Sequence, residues 1–153
     1  MAMLKEILGI KMVDVVREKL SGAYSPQAVI STKQFPNPKF TLMVMYGCSP
    51  KMTEKLTKAV FSEIGKLRKK GPTETDLQKA RETLLRARET DLQKNDFWLK
   101  KIESFYYNHD QAGSVNTFND RVNAMTADDL KQIAARYINP EHYVRVVLMP
   151  EKK

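Results

Sequence analysis

Two side chains set seven positions apart, Arg17 and Tyr24, carry the clearest chemical potential in this chain. They lie in the segment Arg17-Glu18-Lys19-Leu20-Ser21-Gly22-Ala23-Tyr24-Ser25-Pro26, where an expected helix ends and an expected strand begins. Arg17 falls in the last helical turn and Tyr24 just past the Gly22 stop, so both can project to one side of that corner. A guanidinium fork and a phenol hydroxyl are donors suited to a peptide carbonyl oxygen, or to the negative charge that develops on it during acyl transfer. The same residues also fit a purely structural assignment. Arg17 can balance the negative end of the helix dipole and Tyr24 can plug the edge of the core.

Other chemistries lack their residues. A catalytic zinc site needs closely spaced histidines on one helical face and a carboxylate to activate water. His109 and His142 are the only histidines, 33 positions apart, and neither H-E-x-x-H nor H-x-x-E-H occurs. No G-x-S-x-G turn is present, Cys48 has no histidine near it in sequence, and the six glycines show no phosphate-loop spacing. The single cysteine excludes an internal disulfide and a Cys-based zinc site. No cofactor is therefore expected within this chain.

The elements that would position the corner are legible from apolar spacing. Leu4, Ile7, Leu8, Met12, Val15, Val16 and Leu20 follow the three-or-four period of a helix buried along one face. Ser21-Gly22 ends it, because glycine tolerates a left-handed closing conformation. Residues 27–34 and 39–47 are rich in β-branched, aromatic and apolar types and flank Phe35-Pro36-Asn37-Pro38, which predicts a β-hairpin. Phe40, Leu42, Val44 and Tyr46 share one face of its second strand, and Met43 and Met45 share the other. Apolar residues on both faces predict a strand inside a sheet.

Helical signals dominate the chain beyond the hairpin. Ser49-Pro50 opens a helix with Met52, Leu56, Ala59, Val60, Ile64 and Leu67 inward, and Gly71-Pro72 closes it. Thr73-Glu74-Thr75-Asp76 resembles a capping box before a long charged helix with Leu77, Ala80, Leu84, Ala87 and Leu92 inward. Residues 95–107 form an aromatic-rich helix carrying Trp98, Ile102, Phe105 and Tyr106, residues 108–113 a polar loop, and Val115, Phe118 and Val122 a short helix. Thr126-Ala127-Asp128-Asp129 caps a final helix ended by Asn139-Pro140, and residues 142–149 are a returning strand. The expected architecture is one domain over residues 1–153, α+β in class, with helices packed on a mainly antiparallel sheet in two layers. Three strands of central character imply an absent neighbour, so the chain is expected to begin partway into its domain. The exposed edge makes a second copy of the chain a candidate partner.

Length and composition, 153 residues with 42% hydrophobic and 29% charged, suit a single folded domain. No apolar run approaches the roughly 20 residues that span a bilayer, no signal peptide is visible in residues 1–10, and no membrane partner is expected. The net charge of +8 invites nucleic acid. Between Lys51 and Lys101, however, 14 basic residues are interleaved with 8 acidic ones on solvent-facing helical positions, the pattern of a solvated surface. No nucleic-acid partner is expected, and the compartment stays open.

The corner, the hairpin with Pro36 and Pro38, the phrase Gly71-Pro72-Thr73, Asn95-Asp96-Phe97-Trp98-Leu99, and Thr126-Ala127-Asp128-Asp129-Leu130 leading to Tyr137 and Pro150 together resemble the C-terminal half of the pitrilysin/insulinase family of inverzincin peptidases. That resemblance covers nearly the whole chain. It implies a metallopeptidase-half fold with one or more strands before the first helix. It also implies that Arg17 and Tyr24 hold the backbone of a peptide substrate over a zinc site. H-x-x-E-H and the third glutamate ligand belong to the family's N-terminal half, so the implied zinc and catalysis reside in an N-terminal catalytic domain of a parent protein, and this chain alone is expected to be inactive. Some members of the family are structural subunits, which makes an assembly role without peptidase activity the alternative.

Overall fold

Apolar residues spaced three or four apart wind the first segment into α1, Ala2–Met12, and bury Met3, Leu4, Ile7, Leu8 and Met12. The computed structural model describes residues 1–21, 23–109 and 112–151, without the side chains of Lys19, Ala23, Tyr24 and Ala112. The helix does not continue as expected. Residues Val13–Lys19 take the wider π form, with the Leu20 amide donating to the Val15 carbonyl five residues back at 3.2 Å. Each π residue turns through less than the α-helix's 100°, by about 15°. The shift decides which valine faces inward: Val16 is fully buried, whereas Val15 is only half-buried.

A hairpin comes next. Strand β1, Ala23–Lys33, pairs antiparallel with β2, Lys39–Cys48, in the register Lys33↔Lys39, Ile30↔Leu42 and Ala28↔Val44. Phe40, Leu42, Val44 and Tyr46 are half-buried on the face that packs toward the core, as the alternation requires. Met43 and Met45 are exposed, so the expectation of a strand inside a sheet is corrected. Among the described residues the sheet has two strands and one covered face.

The third expected strand is also corrected. Residues 143–149 form no ladder; Arg145 pairs instead with Glu54, and the Tyr143 ring stands edge-on to Phe61 at 4.7 Å. An extended segment becomes a strand only beside an edge with free N–H and C=O groups in register. This one is held on a helix, with Val144 89% and Leu148 94% exposed on its far side.

A 3₁₀ turn, Pro50–Met52, leads into α2, Thr53–Lys70, which buries Leu56, Val60, Ile64 and Leu67. Gly71 ends it at φ 75, and a Cβ there would stand 2.7 Å from the Ala127 carbonyl oxygen, so only glycine lets the two backbones meet. Helix α3, Glu74–Leu92, begins with the expected capping box: Thr73 accepts from the Asp76 amide while Asp76 reaches back to the Thr73 amide. Lys11 of α1 bonds the same carboxylate at 2.5 Å and ties α1 to α3.

Ala87 and Leu92, both expected inward, are exposed, and Arg88 beside Ala87 is buried instead. The Arg88 guanidinium lies over the rings of Phe97 (4.6 Å) and Phe118 (4.9 Å) and donates to the Val115 carbonyl at 2.8 Å. Two rings and a carbonyl supply what a buried cation needs. Helix α4, Asn95–Asn108, rests on α3 through this cluster and buries none of its residues. A 3₁₀ turn, Ala112–Val115, then α5, Phe118–Ala124, and α6, Ala127–Tyr137, complete the chain. Thr126 and Asp129 repeat the capping box, and α6 lays Leu130 and Ala134 against α2. The fold is α+β, a helical layer on an antiparallel hairpin.

Candidate functional site

The junction of α1 with β1 departs from regular geometry at several points in succession. The π winding of Val13–Lys19 comes first. In an α-helix, Arg17 would stand nine residues past Leu8, opposite the buried stripe at 100° per residue; the wider winding swings it round by about 75°. Arg17 is exposed and has no ion-pair or hydrogen-bond partner among the described residues. Its helical segment packs on β1.

Ser21 and Ser25 both adopt positive φ, 45° and 44°. A residue with a Cβ pays about 1 to 2 kcal/mol to do so. Between them the ladder slips: Tyr24 pairs with Gly47, but the next pair in register is Gln27 with Met45. That bulge bends the strand as it leaves the corner and re-aims the residues beside it. Pro26, which lacks an amide hydrogen for a ladder bond, is buried at the bulge. π segments, bulges and strained serines are each uncommon, and they gather where binding groups must be held off the regular lattice.

The Gly22 stop and the Tyr24 side chain lie outside the described residues. The structure accordingly brings Arg17 to the surface of the corner and gives the backbone position of Tyr24. No composition or spacing signal announces the π segment. The adjacent Val15 and Val16, both able to face inward, are the one trace of it in the sequence.

Elsewhere the reactive residues are placed apart. Cys48 ends β2 with its Sγ 3.8 Å from the Thr53 hydroxyl. His109 caps α4 at φ 56, its ring 6.4 Å from that of Phe35. His142 stands after the final turn, its amide donating to the Asn139 carbonyl. Among the described residues no group of three or more His, Cys, Asp or Glu side chains is arranged to hold a metal ion, and no helix is long and apolar enough to cross a membrane.

The titration pattern is structural. Burial works against the Asp76 carboxylate, yet hydrogen bonds from Lys11 and Thr73 prevail and hold it below the usual carboxylate range. Asp129 is lowered by its bonds from Thr126, and Glu54 by its bond from Arg145. None of these groups lies at the corner.

Residues 1–84 match the family described as the peptidase M16 inactive domain. Over 122 residues the chain is 30% identical to a "Zinc protease PQQL-like" protein of Arabidopsis thaliana, covering 72% of this chain and 13% of that protein. Its fold is similar to that of the periplasmic protease PqqL from Escherichia coli, with a TM-score of 0.72 and 17% identity over 89% of this chain and 15% of that one. It is equally similar to a peptidase M16 inactive domain from Pseudomonas fluorescens, with a TM-score of 0.71 and 15% identity over 90% of this chain and 34% of that one. The chain thus spans about one seventh of the length of the PqqL-type proteins it matches.

Proposed function

Because the chain belongs to the M16 peptidase family as an inactive domain of it, we propose that it holds the backbone of a peptide substrate with Arg17 and Tyr24 while a zinc-bearing domain of the parent protein cuts it. The observation that carries this reading is the corner itself: Arg17 stands exposed and unpaired among the described residues on a π-wound turn beside a bulged, strained strand start. A solvent-exposed cation with no partner gains little for stability, whereas a guanidinium donating to a peptide carbonyl gains a charge-assisted bond. Orientation is this domain's contribution, and water activation belongs to the zinc of its partner.

In a protein that carries both domains, Arg17→Ala and Tyr24→Phe should each lower turnover of a fluorogenic peptide by about 10- to 100-fold and leave bound zinc unchanged. Turnover at the unsubstituted level in both variants overturns the reading and leaves the assembly role. The chain alone should release no fluorescence from the same peptide, with or without added zinc.

A further inference from the structure

The excess of positive charge is not shared evenly among the helices. On α3 the exposed charges alternate in sign, Glu74, Lys79, Glu82, Arg86 and Glu89, as in a solvated surface. On α2 they do not. Between Thr53 and Lys70 six basic residues stand against two acids. Both acids are engaged, Glu54 by Arg145 and Glu63 by Lys66 at 2.5 Å.

Lys55, Lys58, Ser62, Lys66 and Lys69 follow one another at intervals of three or four, and Lys51 precedes them by four in the 3₁₀ turn. All six are exposed. They lie on the side of the helix opposite the buried Leu56, Val60, Ile64 and Leu67, in a stripe of one sign about 27 Å long at roughly 1.5 Å per residue. Like charges three or four apart on a helix repel. Lys51, Lys55, Lys58 and Lys69 form no ion pair among the described residues. A row of ammonium groups left unneutralised is complementary to a row of anions.

The surroundings of the stripe choose among polyanions. No aromatic ring stands among these lysines to stack a base, since Phe61, the one ring of α2, is covered by Tyr143 at 4.7 Å. No apolar side chain stands among them to enter a lipid surface. The location favours a polypeptide. Ala23 pairs with Cys48 and Tyr24 with Gly47, so α2 departs from the same end of the hairpin as the corner, with Lys51 three residues past Cys48.

We propose that the lysine stripe of α2 takes an acidic run of the peptide held at the corner, so that substrates of the parent protein carry Asp or Glu clustered on one flank of the held segment. The inference rests on the substrate-holding reading of Arg17 and Tyr24. An extended peptide advances about 3.3 Å per residue, so the stripe accommodates roughly eight residues of it.

Two non-cleavable peptides with one shared central sequence test this on the zinc-loaded protein that carries both domains. One has flanks of about eight residues in which Glu alternates with Gly, matched to the stripe at roughly 3.3 Å per residue, and the other has Gln at each Glu. At about 50 mM salt the acidic peptide should bind about tenfold more tightly, because several exposed ion pairs of small individual effect act together, and at about 500 mM the advantage should shrink to about twofold. Lys55→Glu, Lys58→Glu and Lys69→Glu combined should abolish the advantage and leave affinity for the Gln peptide within about twofold. Lys39→Glu, Lys79→Glu and Arg86→Glu combined make the same change in net charge away from the stripe and should retain it. Circular dichroism should show unchanged helix content in both. An acidic peptide without advantage, or an advantage that the stripe variant spares or the off-stripe variant removes, overturns the proposal. A single-stranded oligodeoxynucleotide that binds the same lysines more tightly than the acidic peptide overturns it too, and assigns the stripe to nucleic acid. Arg17→Ala should weaken both peptides by the same factor. If it weakens neither while the stripe variant still erases the advantage, the corner reading falls and the stripe stands as a site for acidic polypeptide.

Discussion

Helices α1 and α4 are both written in apolar periodicity, yet α1 sinks five of its 11 residues into the core and α4 buries none of its 14. The difference lies in their neighbours. α1 is flanked by β1, α2 and α3, so its stripe meets apolar surface on several sides. α4 touches the body through the arginine set between two rings and through the Tyr107 ring, edge-on to Phe35 of the hairpin turn at 6.0 Å. Periodicity specifies that a face will be covered, and the surrounding topology specifies by what.

Truncating each stripe breaks the comparison most sharply. Leu8→Ala empties a fully buried site and should cost about 3 kcal/mol in urea denaturation. Leu99→Ala removes a side chain already in water and should cost less than about 0.5 kcal/mol at concentrations where the chain is monomeric. Equal costs would mean that α4 is covered within the monomer.

A smaller effect probes how the body around α1 is closed. Gly71→Ala adds a Cβ at φ 75, 2.7 Å from the Ala127 carbonyl, so the contact between the end of α2 and the start of α6 must open. The expected loss is about 2 kcal/mol, with no change in the behaviour of α4.

An effect smaller than that of Gly71→Ala concerns the ion pair that pins α1 to α3. Because the Asp76 pKa is depressed in the folded chain, its contribution is fully present above the unfolded-state pKa and is lost as pH falls through the folded value. Lys11→Met should cost about 1 kcal/mol near neutral pH and flatten the fall in stability on acidification. An acid profile with the same slope in both proteins would remove Lys11 as the cause of the depression.

Legibility in the sequence divides along the same line. Hairpin, capping boxes and helix faces are legible because each is local: Thr73 with Asp76, Thr126 with Asp129, and the turn at Pro36 declare themselves within four residues. The burial of Arg88 is not legible, because its partners Phe97 and Phe118 lie on other elements and only packing brings them to α3. The segment 142–149 reads as a strand from composition, but a ladder needs a free edge in register, which composition does not report. At the candidate site Arg17 can be singled out from residue type and spacing, whereas the π winding and the bulge that present it are registers of hydrogen bonding that leave almost no mark on residue choice.

The most direct measurement is the affinity of a non-cleavable peptide for the zinc-loaded two-domain protein, with and without Arg17→Ala. If the guanidinium grips the peptide backbone, the dissociation constant rises about tenfold, as for loss of one charge-assisted hydrogen bond, and metal content is unaltered. An unchanged dissociation constant contradicts the substrate-holding role and reduces the α1–β1 corner to a feature of the fold.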